Sequence, residues 1–438
     1  MDTVAAPKSY VLIVRLPAYP VGDGKFALES AFALHLRLLR QKLGPLAEDM
    51  VLVAPRMPDD QYEAQKSHLF VVDEAREGIR FQPLFPAEIG KVSFFLGLPS
   101  VLQTLYRTVK NASVVHASTS HLYRPFEFPA LLMGWAVGAK TISVTDIDNR
   151  RTARMNLETG RWSLKEYLVT RVLHDSYLHL QHLLSVRLFS LVLLKGGELV
   201  SDYGADRPSV KNFLDSAFSE SQIIATAALE AKLRAVRDPT TPVSFVYFGR
   251  LVPYKGVDHM LRAFHKALAL GAENIRLRII GGGPERERLG ALAVELGLGE
   301  RVSFEPPVPF EVIFEHLYQG HVLLAAPLSP DTPRNALDAM ASGQAVVAYD
   351  TAYYRELSAA GAAVEVVPWL DLDAMGRSIL ELGRDRARLA SSIRRGVEFA
   401  RSNTQEMWLD RRVGWTLALF SGAAGAAEDA ADVAAQKA

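Results

Sequence analysis

Residues 321–348, HVLLAAPLSPDTPRNALDAMASGQAVVA, decide the fold of this chain. An apolar run from His321 to Ala326 ends in a Pro/Ser/Asp loop. A short helix is then expected to open at Thr332-Pro333, with threonine as N-cap and proline at the first helical position. Ser342-Gly343 stops that helix and a second apolar run follows. Strand, loop, helix and strand in this order make the repeating unit of a parallel sheet. The loop and the helix start lie at the carboxyl end of the strand, where open α/β sheets bind ligands. Asp338 is an acid among Ala336, Leu337, Ala339, Met340 and Ala341. It is either an exposed partner of Arg334, four residues back, or a binding group.

The same unit recurs upstream. VSFVYFGRLVPYKGVDHMLRAF (243–264) runs a buried strand into Gly249-Arg250, then a loop, then Lys255-Gly256 at the start of a helix. Phosphates need N–H donors and positive charge without bulk. A helix start offers the first, and Arg250 and Lys255 offer a fork and a point charge. IRLRIIGGGPERERL (275–289) is a strand, a triple-glycine turn (Gly281, Gly282, Gly283) and a helix. Arg286 stands where a dinucleotide fingerprint needs its third glycine, so nicotinamide or flavin chemistry is not expected. Toward the N-terminus, strands are expected at 10–15, 50–54, 68–72, 112–117, 140–145, 189–195 and 208–213. Helices between them, at 26–43, 97–110 and 127–138, make this half a parallel, doubly wound sheet as well. Gly22 and Gly24, in the loop after the first strand, would let the backbone approach a ligand. His116, Ser118 and His121 follow one strand, and Asp146 and Asp148 follow the next.

These motifs resemble the nucleotide-sugar signature of retaining glycosyltransferases of family 4. Gly-Arg-Leu-x-x-x-Lys-Gly is complete at 249–256, and LDAMASGQAVVA matches the second half of the family's loop–helix–strand pattern. The resemblance implies a GT-B fold, α/β, with two Rossmann-like doubly wound domains facing a cleft. It implies that Gly249, Arg250 and Lys255 grip the donor diphosphate. Gly281, Gly282, Gly283, Thr332 and Asp338 would meet nucleotide and sugar, with Asp338 on the ribose. The family's first acid falls on Pro330, and Asp331 comes one step later as a candidate contact to the sugar or a helix cap. On the acceptor side it implies Gly22, Gly24, Asp146 and Asp148. A histidine past the 112–117 strand would approach the transferred sugar; Ser118 stands there, and His116 and His121 are the two candidates. Asp146-Ile147-Asp148 also reads as Asp-x-Asp, but metal-binding versions belong to another fold, and no metal is expected. No cofactor is expected either, since a UDP- or GDP-sugar would be a co-substrate. The acceptor could be a glycan, a lipid-linked molecule or a small molecule. A catalytically inactive binding subunit and a nucleotide-sugar epimerase are the alternatives.

Composition bounds the rest. The chain has 438 residues, with 49 Lys+Arg against 49 Asp+Glu and no cysteine. Balanced charge argues against nucleic acid as the main partner, and the missing thiols exclude disulfides and cysteine chemistry. The start MDTVAAPKSYVLIV does not read as a signal peptide, and a cytoplasmic protein is expected, with peripheral contact at the inner membrane face. That contact would come from 163–188, a basic stretch expected to form one long helix, since basic amphipathic helices lie on bilayers. His179 and His182 on it are expected at the surface. The expected organisation is a first domain 1–215, a linker 216–241, a second domain 242–404, a helix 405–420 returning to the first domain, and a mobile tail 421–438.

Overall fold

The computed structural model describes residues 9–66, 69–146, 149–330 and 332–421. They form two compact units. One holds the chain up to Asp146, Leu168–Phe213 and the residues from Leu409 on. The other holds Leu214–Trp408 with the segment up to Tyr167 that follows Asp146.

The strands of the first unit are β1 (Tyr10–Ile13), β2 (Tyr19–Gly22), β3 (Lys25–Glu29), β4 (Met50–Arg56), β5 (Leu69–Asp73), β6 (Ile79–Pro86), β7 (Val114–Ser118), β8 (Lys140–Thr145), β9 (Leu191–Leu194) and β10 (Val210–Asn212). Seven of them form one sheet in the order β10-β9-β8-β7-β1-β4-β6, every neighbouring pair parallel. Its strands β1, β4 and β9 are almost wholly apolar on both faces, as helices covering a parallel sheet require. The remaining three make an antiparallel sheet, β2-β3-β5. This corrects the reading of 16–43. Residues 25–29 pair as a strand and bury Phe26, Ala27 and Leu28, so the helix begins at Ser30.

The second unit carries β11 (Val243–Phe248), β12 (Ile275–Ile280), β13 (Val302–Glu305), β14 (Val322–Ala325), β15 (Ala345–Tyr349) and β16 (Val364–Val367). They form one parallel sheet ordered β13-β12-β11-β14-β15-β16. In its own count that is 3-2-1-4-5-6, the Rossmann order, with the strand order reversing between β11 and β14. Alternate residues of β11 feed opposite cores: Phe245 and Tyr247 join one, Val246 and Phe248 the other, as the strand period demands.

The expected linker is part of this unit. Thr226–Arg237 is a helix, and its Leu229, Leu233 and Val236 are buried in the main core. Lys232, on the same helix, donates to the carbonyls of Gly320 (2.8 Å), Ser342 (2.8 Å) and Gly343 (2.9 Å). Two of these end the helix Asn335–Ala341 and its turn, so the ammonium caps a helix C-terminus. Burial pushes its pKa down to about 7. Residues 149–167, read from sequence as part of the first domain, group with the second unit, where Arg161 donates to the Leu328 carbonyl. Residues from Leu409 on do join the first unit: Asp410 pairs with Lys42 at 2.5 Å, and Arg412 lies 4.4 Å over Phe213.

Candidate functional site

Three turns meet at the carboxyl edge of the second sheet. Gly249 follows β11 with φ 141° and donates its N–H to Ile280 at 3.0 Å. A Cβ on Gly281 would stand 2.0 Å from the Gly249 carbonyl, and one on Gly283 2.3 Å from the Leu251 carbonyl. Gly256, with φ 62°, would put a Cβ 2.0 Å from the Ala326 carbonyl, while Leu328 N–H bonds Tyr254 O at 2.8 Å. The loops after β11, β12 and β14 therefore lie backbone against backbone, and glycine is the residue that permits it. Gly281 and Gly283 are explained by this packing. A Cβ on Gly282 would meet only the Pro307 ring, at 3.2 Å.

On this platform stand the two expected cations. The exposed Arg250 guanidinium donates to the Tyr254 hydroxyl at 2.8 Å, and Lys255 Nζ lies 5.4 Å from the Tyr254 ring. Tyr247 holds the Arg250 carbonyl at 2.9 Å. The helix Val257–Ala269 starts directly after the loop, so the cations stand at a helix N-terminus.

The acid expected on the ribose has an unusual setting. Helix Asn335–Ala341 begins two residues later than Thr332-Pro333 suggested, and no side chain caps it. Thr332 is therefore not the N-cap. Asp338 is buried, 6% exposed, and one of its carboxylate oxygens has no hydrogen-bond partner among the described residues. Burial pushes it up to about 7; the Arg334 cation pulls it down and the Asp215 carboxylate adds to the rise. Arg334 itself pairs with Asp215 at 3.7 Å. One turn back, Asn335 donates from Nδ2 to the Phe248 carbonyl at 3.3 Å and leaves its own Oδ1 without a partner. Residues three apart share a helix face, so Asp338 stands one turn along from an amide bonded to the end of β11, where the Gly249 loop starts. Asn335 was missed in the sequence reading; the available signal was a second polar residue three before Asp338 in an apolar helix. Asp331 lies outside the described residues, as does Asp148.

In the first unit the candidates do not converge. His116 sits inside β7 rather than after it. Its Nδ1 is 2.6 Å from the Tyr10 hydroxyl, and burial, with the Arg412 and His35 charges, pushes it down to about 3. His121 is exposed and stacks on His174, with ring centroids 5.3 Å apart and a ring nitrogen contact of 3.1 Å. Ser118 donates to Glu127 at 3.0 Å, and Glu127 is buried against Arg15. Burial raises the Glu127 carboxyl and the Arg15 guanidinium opposes it. Arg15 and Glu127 were not singled out from sequence, because they meet only when β1 and β7 become neighbours; His174 reads from sequence only as part of the basic region 149–187. Asp146 is exposed at the end of β8. Gly22 and Gly24 form the β2–β3 hairpin tip with φ 90° and 67°, and nothing lies within 4 Å of a Cβ added at either. The turn, not a close approach, accounts for both glycines. His182, expected at the surface, is buried 3.3 Å from Thr145 Oγ1; His179 is exposed, 2.9 Å from the Tyr203 hydroxyl.

Similarity to known proteins in sequence is concentrated in the second unit. Residues 230–397 match the family Glycosyl transferases group 1. The chain is 32% identical over 171 residues to a GDP-mannose-dependent alpha-(1-6)-phosphatidylinositol monomannoside mannosyltransferase of Mycolicibacterium smegmatis, covering 36% of this chain and 44% of that protein. It is 34% identical over 161 residues to a D-inositol 3-phosphate glycosyltransferase of Nocardia farcinica, covering 35% of each. The match thus spans less than half the length of these curated relatives. Among solved structures, Anabaena HepE in complex with UDP superposes with a TM-score of 0.61 at 15% identity, over 93% of this chain and 99% of that one. WaaG, a glycosyltransferase involved in lipopolysaccharide biosynthesis, gives 0.60 at 10% identity over 94% and 100%. At these identities the likeness shows the fold, which is GT-B.

Proposed function

We propose that this chain, its second unit carrying the glycosyltransferase group 1 match, is a retaining hexosyltransferase that moves a sugar from a UDP- or GDP-sugar to an acceptor hydroxyl. The observation that carries the reading is the buried Asp338 carboxylate with an unpartnered oxygen. An uncompensated buried carboxylate is expensive, and paired ribose hydroxyls would supply the missing hydrogen bonds. Asp338, the Gly249–Gly256 loop and the Gly281–Gly283 turn then serve one ligand, with Arg250, Lys255 and main-chain N–H groups on its diphosphate.

The chemistry follows from that placement. The bond between the anomeric carbon and the diphosphate oxygen breaks as the acceptor oxygen bonds to the same face. The acceptor proton passes to the departing diphosphate oxygen. Charge builds on the leaving group, where preorganised donors and cations stabilise it. No metal is needed for this. The two curated relatives above are named for phosphatidylinositol monomannoside and D-inositol 3-phosphate, which supports an acceptor bearing a polyol and a phosphate.

The deciding experiment offers a panel of nucleotide sugars with and without acceptors and follows thermal stabilisation and nucleoside diphosphate release. Release that depends on an acceptor is expected. Pro330 in place of the family's acid favours a second reading, a binding subunit, and binding without release under any acceptor would establish it. A changed sugar still attached to its nucleotide would make the chain an epimerase.

Arg250→Ala and Lys255→Ala give a second test. Hydrogen bonds to charged groups contribute about 2 kcal/mol, so each variant should bind nucleoside diphosphate about 30-fold more weakly. Both positions are on a surface loop, and melting temperature should stay within a degree or two. Parent-like affinity in both would remove the phosphate assignment.

A further inference from the structure

The first unit carries an apolar, cationic surface that its sheet does not use. Helix Lys91–Val109 packs Phe94, Val101, Leu105 and Val109 inward. Its opposite side leaves Val92 (75%), Phe95 and Leu96 (79%) in solvent, followed about three to four turns on by Tyr106, Arg107 and Lys110. The segment 168–173 does the same. Leu168, Val169, Val172 (64%) and Leu173 are all exposed around Arg171, where the helix widens into a π-turn, Thr170–His174. The loop 121–124 touches both: Lys91 Nζ lies 4.1 Å over the Tyr123 ring, and His121 stacks on His174. Tyr123 is itself half exposed. The two apolar ridges are therefore held together by one loop. Together they expose seven large apolar side chains, Val92, Phe95, Leu96, Leu168, Val169, Val172 and Leu173, where isolated surface residues would need no explanation.

The charges say what covers it. From Lys91 to Phe126 the sequence has four cations, Lys91, Arg107, Lys110 and Arg124, and no acid. Of the acids that border the surface, Glu127 is buried on Arg15 and Asp175 is buried beside Arg171 at 3.4 Å. The exposed Glu88 accepts from Gln61 and the exposed Glu166 from the Ser163 N–H, each at 2.7 Å, and both are outnumbered by the exposed Lys91, Arg107, Lys110 and Arg171. A second copy docked through a two-fold axis would lay this cationic patch on itself, and like charges facing each other cost several kcal/mol. An anionic lipid surface meets both properties at once. Apolar side chains enter the acyl boundary, cations meet headgroups, and a tyrosine suits the interface between them.

We propose that Val92, Phe95, Leu96, Leu168, Val172 and Leu173 form a bilayer-docking surface of the first unit, with an anionic leaflet as its partner. This corrects the sequence expectation in kind. The stretch 163–188 does not act as a whole, because 175–188 turns Leu178, Gln181, His182, Ser185 and Val186 into the fold. Its 168–173 part works with a second helix that sequence alone left aside. Among the described residues no helix is long and apolar enough to cross a membrane, so the contact is with the surface.

The test is flotation of the full chain with vesicles of phosphatidylcholine alone, or of phosphatidylcholine and phosphatidylglycerol in equal parts. The parent should float with the anionic vesicles at low salt and lose them as salt screens the headgroups. Leu96→Glu/Val172→Glu places carboxylates at two exposed sites, so the fold should persist by circular dichroism. Its vesicle partition should fall at least about tenfold. No flotation of the parent at low salt overturns the proposal. So does undiminished flotation of the variant, or a parent dimer in sedimentation velocity that the variant dissolves. Nucleotide binding by the variant without vesicles is scored separately, so failure of the surface and failure of the glycosyltransferase reading are told apart.

Discussion

Asp338→Asn should make the unliganded protein more stable and its grip on nucleotide weaker. The folded state holds the Asp338 proton up to about pH 7, against 3.8 for an ordinary carboxyl. The folded state therefore binds more protons than the unfolded one between those values, and stability falls as pH rises through that window. Above pH 7 the deficit is on the order of 4 kcal/mol, at 1.36 kcal/mol per unit. An amide carries no charge and should recover about 1 to 2 kcal/mol, less than the whole because its own buried groups need partners. If ribose hydroxyls donate to the carboxylate, binding favours its ionised form, so nucleotide affinity should rise with pH up to about 7 and then level off. In Asp338→Asn that pH dependence should vanish and affinity should drop about tenfold or more, the loss of hydrogen bonds to a charged group. Chemical denaturation and titration calorimetry across pH 5 to 8 measure both. Parent-like nucleotide affinity in the variant would sink the ribose assignment.

Gly256→Ala and Gly281→Ala should each cost about 3 kcal/mol or more and abolish nucleotide binding. Both glycines have positive φ, and in both the added Cβ would stand 2.0 Å from a main-chain carbonyl oxygen, of Ala326 and of Gly249. No side chain can rotate away to relieve that, so the loops must part, at the upper end of overpacking costs plus the left-handed backbone penalty. Gly290→Ala is the control. It sits in helix Arg286–Glu295 with nothing within 4 Å of its Cβ, and alanine there should stabilise by about 0.5–1 kcal/mol. The three should separate clearly in denaturant midpoint; equal midpoints would mean the loops are not packed as described.

The alternation of strands and helices was legible because parallel strands buried on both faces leave nearly continuous apolar runs, as in YVLI, VSFVYF and AVVAY. Residues 25–29 were misread because FALE followed by SAF fits a helical period as well as a strand. Only pairing with β5 decides it. Residues 216–241 read as a linker from their polar, alanine-rich composition, although three apolar positions on one face suffice to dock a helix. At the site, charge and glycine spacing exposed the 249–256 loop, while the close approach that demands Gly256 and Gly281 is a tertiary fact. Asp338 stood out as an acid in an apolar helix. Its unpartnered oxygen, and the neighbouring Asn335, depend on what surrounds them. The contrast between His116 and His121 was invisible for a related reason. A few residues apart in the chain, one is bonded to Tyr10 and the other stacked on His174.

The lysine that caps the Asp338 helix also fixes where relatives of this protein can recombine. Lys232 ties the turn after Ala341 and the carbonyl of Gly320 to a helix that lies before β11 in the chain. A crossover placed at the apparent composition break near 242 would take Lys232, Leu229, Leu233 and Val236 from one parent and the acceptors they serve from another. Shuffled genes should therefore survive joints near 214 far more often than joints near 242. The heritable module is 214–408, which leaves out only the 149–167 segment that groups with it, and sequence change at position 232 should be tied to change in the 342–343 turn.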